Sequence, residues 1–93
     1  MKIALERIDK HQAVMAVIEL VCSLLPAVAK AGIQENTSLM DLNGFDSLFV
    51  ARLLERLEDR TGVEMNPALI LPETFASPGT LADAIVKSAG PAT

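Results

Sequence analysis

Val14, Val17, Ile18, Val21 and Leu25 recur at steps of three and four residues, which gathers them on one face of a helix running from Ala13 to Leu25. The opposite stripe, Gln12, Ala16, Glu19 and Ser23, is narrow. A helix with so little polar surface needs cover on most of its sides, and a bundle of helices supplies it. Core packing is the simpler use of that surface; a dimer contact or a groove for a bound chain are the alternatives. The cover has to be aliphatic, because 51% of the 93 residues are apolar while only 3% are aromatic, with no Trp or Tyr. Packed helices use such side chains better than a sandwich of β-branched and aromatic strands does. The length fits one domain.

Charge and rare residues exclude several function classes. Eight basic and twelve acidic residues give a formal net charge of −4, with no run of Lys or Arg. Nucleic acid is therefore not an expected partner, since binding phosphates needs a basic footprint. Cys22 is the single cysteine and His11 the single histidine, so neither an internal disulfide nor a zinc site at the usual spacing can form. Cys22 reads as a small buried hydrophobe and His11 as a solvated residue without a role. A secretory leader is suggested by Lys2, Arg7 and Lys10 ahead of an apolar stretch that ends in Pro26-Ala27-Val28-Ala29. Glu6 and Asp9 dilute that leader, Glu19 interrupts the stretch, and cleavage after Ala29 would remove the longest helix. Glu19 and Pro26 also argue against a membrane span, which takes about twenty mainly apolar residues. A soluble, cytoplasmic monomer is expected.

Punctuation along the chain sets the remaining elements. Residues 1–12 mix Ile3, Leu5 and Ile8 with charges, as an extension of the first helix or a separate turn. Pro26 should stop the first helix near Leu25, and Gly32 marks the exit. Gln34 to Gly44 reads as a long loop anchored by Ile33, Leu39 and Leu42. From Ser47 to Thr61 a second helix gathers Val50, Leu53, Leu54, Leu57 and Thr61 on its core face. Leu48, Arg52, Glu55 and Asp59 point outward, and Phe49 shares a flank with Arg56 and Arg60. Gly62 is placed to stop this helix. A connection from Val63 to Leu71 follows, with Val63, Leu69 and Ile70 expected inside, and then a short third helix over Pro72–Ala76. The last helix starts at Ser77-Pro78 or Thr80, where Thr80-x-x-Asp83 approximates a capping box, with Leu81, Ile85, Val86 and Ala89 inward and Gly90-Pro91 as its end.

The candidate for chemistry is Ser47, in Gly44-Phe45-Asp46-Ser47-Leu48. A serine opening a helix has its hydroxyl at the surface, beside backbone N–H groups with no partner inside the helix and at the positive end of the dipole. That is a favourable place to hold a phosphate. Simple capping by Asp46 or Ser47 is the competing explanation. Its fuller form, a capping box, is missing, because Phe49 and Val50 stand where Glu or Gln would close it.

This stretch, followed by a helix ending in Arg60-Thr61-Gly62-Val63-Glu64, resembles the modification site of acyl and peptidyl carrier proteins over about residues 13 to 88. The resemblance implies an all-α fold, a small four-helix bundle with a long loop between helices 1 and 2 and a short third helix. It also implies a domain over 13–89, flanked by 1–12 and a tail at 90–93. By the same resemblance Ser47 carries 4′-phosphopantetheine from coenzyme A, whose thiol holds acyl or aminoacyl groups as thioesters. Asp46 then shapes the loop and meets the transferase or its metal, and Leu48 helps to dock partners. Phe49, Arg52 and Arg56 complete the expected docking surface. The implied partners are a phosphopantetheinyl transferase, a loading ligase or synthase, and downstream biosynthetic enzymes; a carrier of this kind is not itself an enzyme.

Two departures from the fatty acid carriers point to a specialised member, of a polyketide, nonribosomal peptide or related pathway. Their usual acid after Asp-Ser-Leu is Phe49 here, on a helix where Arg52, Arg56 and Arg60 balance Glu55, Glu58 and Asp59, which weakens electrostatic steering. The connection after this helix is several residues longer. The loop is also one residue longer before Gly44, which bears on its local geometry and not on Ser47. Two other function classes compete. A hydrolase using Ser47 as nucleophile needs a base within reach, and Gly-x-Asp-Ser-Leu is not the Gly-x-Ser-x-Gly elbow. An unmodified helical adaptor binding a partner through Leu48 and Phe49 is the stronger of the two.

Overall fold

Helix α1 (Lys10–Leu24) begins where Asp9 and Gln12 close a capping box. Gln12 N–H donates to Asp9 Oδ1 at 2.8 Å, and Asp9 N–H donates to Gln12 Oε1 at 3.1 Å. The D-x-x-Q pattern is the sequence mark of such a start, so residues 10–12 lengthen the first helix beyond the expected Ala13. The structure is a computed structural model that describes residues 8–89, without the side chains of residues 29–31. Ile3 and Leu5, and the expected stop at Gly90-Pro91 with the tail 90–93, lie outside the described residues. Ile8 packs against the core.

Ala13, Val14, Ala16, Val17 and Val21 are all buried along α1. Ala16, expected on the solvent stripe, is covered because α1 packs against both α3 (Ser47–Thr61) and α4 (Pro78–Ala89). Pro26 does end α1, at Leu24, but it also opens a short helix α2 (Pro26–Ala31) that the sequence pattern does not reveal. Proline suits a first helical position, where its missing N–H costs nothing and its fixed φ is already helical.

Helix α3 spans the residues expected of it, and Gly62 stops it in the left-handed conformation at φ 73°. Its buried stripe is Phe49, Leu53 and Leu57, with Val50, Leu54 and Thr61 only half-buried on the flank. The core face is thus turned by one residue towards Phe49. The connection to α4 contains two 3₁₀ turns, Pro67–Leu69 and Pro72–Phe75, the second in place of the expected short third helix. Ile70, expected inside, is 40% exposed and Leu71 43%, because the inward contacts of this stretch pass to Thr74 and Phe75. Thr74 is buried with its hydroxyl satisfied, donating to Leu69 O at 2.5 Å. At α4 the cap is Ser77 and not Thr80 with Asp83. Thr80 N–H donates to Ser77 Oγ at 3.2 Å, and Ser77 N–H donates to Thr80 Oγ1 at 2.9 Å. Leu81, Ala82, Ala84 and Ile85 are buried along α4, each large one contributing about 1.5–3 kcal/mol by leaving water. Among the described residues there is no strand, and the fold is a small all-α bundle.

Candidate functional site

The loop that leads to Ser47 is held from three sides. Ile33 and Leu39 are buried in the core. Leu39 N–H donates to Ala76 O at 3.0 Å and Gly79 N–H to Glu35 O at 2.8 Å, so the loop is strapped to the start of α4. At the surface Lys10 spans the same junction, 3.0 Å from Asp83 and 3.6 Å from Glu35. Its pKa is raised, first by the hydrogen bond to Asp83 and then by the charges of Asp83 and Glu35. Two turns follow, with Leu42 N–H donating to Leu39 O and Phe45 N–H to Leu42 O, each at 3.1 Å. Gly44 has φ 98°, and a Cβ there would sit 3.0 Å from Leu25 Cδ2. Only glycine takes that conformation without strain, and the close approach to Leu25 adds a second reason.

The three phenylalanines of the chain fix the first turn of α3. The Phe45 ring lies 5.5 Å from that of Phe49 and 6.4 Å from that of Phe75, both tilted, a favourable arrangement for aromatic pairs. Phe49 is therefore a core residue, 7% exposed, and not the docking contact expected from the sequence. Its neighbour Leu48 is 63% exposed. Arg52 and Arg56 are exposed as well. The surface beside Ser47 thus offers Leu48, Arg52 and Arg56 without Phe49.

Asp46 caps α3: its Oδ1 accepts from Phe49 N–H at 2.8 Å. No return bond forms, because Phe49 has no polar side chain to offer. Ser47 stands at the first helical position and is exposed. At that position its own N–H and that of Leu48 lack intrahelical acceptors and point along the axis away from the helix. The first turn of α3 carries no acidic residue after the cap. Beside it lies a cleft of about 180 Å³ lined by Leu24, Leu25, Gly44, Asp46, Leu48, Phe49 and Arg52. Leu24 and Leu25 were not legible as site residues from the sequence, since nothing local shows that the end of α1 meets the start of α3. It follows that His11, at the other end of α1, is roughly 20 Å away along the helix rise of ~1.5 Å per residue. A histidine so placed cannot serve as a base for Ser47. The arrangement suits attachment instead of hydrolysis, because an exposed hydroxyl, free amides and a positive dipole end can accommodate a phosphodiester on the serine.

The family model described as the phosphopantetheine attachment site matches residues 16–85. The chain belongs to this family. The match runs from Ala16 within α1 to Ile85 within α4 and so takes in the loop, α3 and the connection after it. The prosthetic group of this family is 4′-phosphopantetheine, and the general role of its members is that of a carrier. The start of α3 fits the group: Ser47 is exposed and the capping bond is made by Asp46. No curated protein and no solved structure matches the chain. No helix among the described residues is long and apolar enough to cross a membrane, and no cluster of His, Cys, Asp or Glu among them could hold a metal.

Proposed function

We propose that Ser47 is the attachment point and that the protein is a non-catalytic carrier of acyl or aminoacyl groups. The observation that carries this reading is the division of labour at the start of α3. Asp46 takes the capping hydrogen bond, which leaves Ser47 exposed at the first helical position. A separate transferase forms the bond between Ser47 Oγ and the phosphate of coenzyme A; the hydroxyl proton and the adenosine bisphosphate leave. When bound, the group supplies a thiol on a flexible arm that holds cargo as a thioester for enzymes that dock the carrier. The chain's own part is to hold the arm's root still and to offer a docking surface. Leu48 gives that surface an apolar contact, and Arg52 and Arg56 give it charge.

The membership of a specialised biosynthetic pathway, polyketide, nonribosomal peptide or related, rests on the charge balance of α3 and the length of the connection after it. The residue at 49 no longer supports it, since Phe49 serves the core. In α3 Arg60 reaches across to Glu19 of α1, so it is engaged within the bundle. Arg52 and Arg56 then offset Glu55, Glu58 and Asp59 on the exposed side, which leaves little net charge to steer a basic partner.

Intact mass of the apo protein before and after incubation with coenzyme A and a broad-specificity transferase tests the reading. One added phosphopantetheine is expected on the wild type and none on Ser47→Ala. A folded apo protein left unmodified by several transferases would overturn the carrier and favour an adaptor that binds through Leu48.

A further inference from the structure

Arg52 lines the cleft beside Ser47 together with Asp46, Gly44 and Leu48. It follows Ser47 by five residues on α3, a rise of roughly 7.5 Å. Long side chains on a helix lean back towards its N-terminus, so an arginine at this place reaches over the first turn. Arg56 stands roughly 13.5 Å along the same axis, and Arg60 is engaged with Glu19. Among the described residues Arg52 enters no ion pair. Attachment brings a second anion into a cleft that already holds one. Asp46 lines it, with Oδ1 accepting from Phe49 N–H, and a phosphodiester on Ser47 Oγ stands beside that carboxylate. Like charges so close oppose one another. The helix end answers them with only about half a positive charge.

We propose that in the modified protein Arg52 pairs with the phosphate of the arm and so fixes the arm's root at the start of α3. The proposal rests on Ser47 being the attachment point. A guanidinium supplies the full positive charge that the helix end lacks, and its planar fork matches two phosphate oxygens. Leu24, Leu25 and Leu48 wall the same cleft, and apolar walls reduce the screening that such a pair meets on an open surface. Arg52 is thus a positioning residue within the carrier and not only a contact for partners. An arm whose first atoms are already held has less freedom to lose when an enzyme takes it up. The pair also consumes the cation, so the modified protein shows later enzymes a less positive face beside Ser47 than the apo protein shows the transferase.

Phosphorus NMR of the phosphopantetheinylated protein tests the pairing, with intact mass recording attachment. At an ionic strength of about 0.01 M the wild-type resonance is expected to stand apart from that of a short phosphopantetheinylated peptide, and to approach it at about 1 M, where an exposed pair is screened. Arg52→Gln should lose most of this salt-dependent displacement, and Arg52→Lys should keep part of it. Attachment should also lower the urea midpoint of Arg52→Gln by more than that of the wild type, a difference that closes in high salt. A docking role alone moves neither readout. Cross-relaxation between the Arg52 Hδ protons and the first methylene of the arm reads the same contact in the wild type, so slow loading of a variant leaves the test intact. Lack of that cross-relaxation, a resonance unchanged by Arg52→Gln, or an equal response to Arg56→Gln overturns the pairing and leaves Ser47 as the attachment point. Absence of mass gain on the wild type removes both.

Discussion

Helices α3 and α4 both begin beside a serine, yet the two serines end in opposite conditions. At α4 Ser77 is itself the cap: its hydroxyl accepts from Thr80 N–H, and the Thr80 hydroxyl accepts from Ser77 N–H. Ser77 is half-buried and its hydroxyl is committed. At α3 the cap is the preceding Asp46, and the residue that would close the box is Phe49, whose ring goes into the core. Ser47 is left exposed with no capping duty. On the proposed reading, a helix start is left open to modification when the preceding residue takes the cap and the third helical residue is apolar. The start of α1, where Asp9 and Gln12 close a full box, shows the purely structural form of the same device.

Substitutions at these starts can break the comparison or sharpen it. The largest effect is expected of Phe49→Ala, which empties a core position packed against the Phe45 ring and should cost about 3–5 kcal/mol in denaturant unfolding. For a domain of this size that is a large share of a stability of roughly 5–14 kcal/mol. Leu48→Ala, one residue away, should leave stability within about 0.5 kcal/mol and instead weaken docking to the transferase, read as a raised KM. Equal effects at the two positions would contradict the inward and outward assignment.

Gly44→Ala comes next. A left-handed backbone and a Cβ 3.0 Å from Leu25 Cδ2 should together cost about 1–3 kcal/mol, seen as a lower urea midpoint. The serine pair itself is sharpened by two alanine variants. Ser77→Ala should cost about 1 kcal/mol, the usual worth of a cap, and still accept the arm. Ser47→Ala should unfold at nearly the wild-type midpoint and accept nothing.

The smallest effect lies at the start of α1. The Lys10 pKa is raised in the folded protein, chiefly by Asp83. The lysine is charged in both states below its unfolded pKa, so its contribution is complete there; it is lost as pH rises through the higher folded value. Unfolding midpoints followed upward from neutral pH should show a small decline above the ordinary lysine range, and Lys10→Met should remove it. An unchanged decline in that variant would mean that another group is responsible.

Periodicity and punctuation made much of this fold legible. Ser47 to Thr61 is a helix by pattern and by structure alike, and Gly62 stops it, because a long amphipathic run and a terminal glycine are local signals. Leu39 could be named as a loop anchor for the same reason: it is an isolated apolar residue among turn formers. The misses have non-local causes. Ala16 is covered by two neighbouring helices, which no pattern within α1 reveals. Phe49 lies between the core stripe and the flank on a helical wheel, and its inward turn is decided by Phe45 and Phe75 from other elements. Helix α2 was hidden because Pro26 can end one helix and open the next. At the site, Asp46, Ser47 and Leu48 were readable as a helix start, whereas Leu24 and Leu25 reach the cleft only through tertiary packing.

Locating the arm tests the central claim most directly. The chain has five serines, Ser23, Ser38, Ser47, Ser77 and Ser88, and fragment masses of the transferase-modified protein can tell them apart. The account predicts the whole mass increment on Ser47 and none on Ser77, although both begin helices. An increment on Ser77 or on any other serine would contradict it.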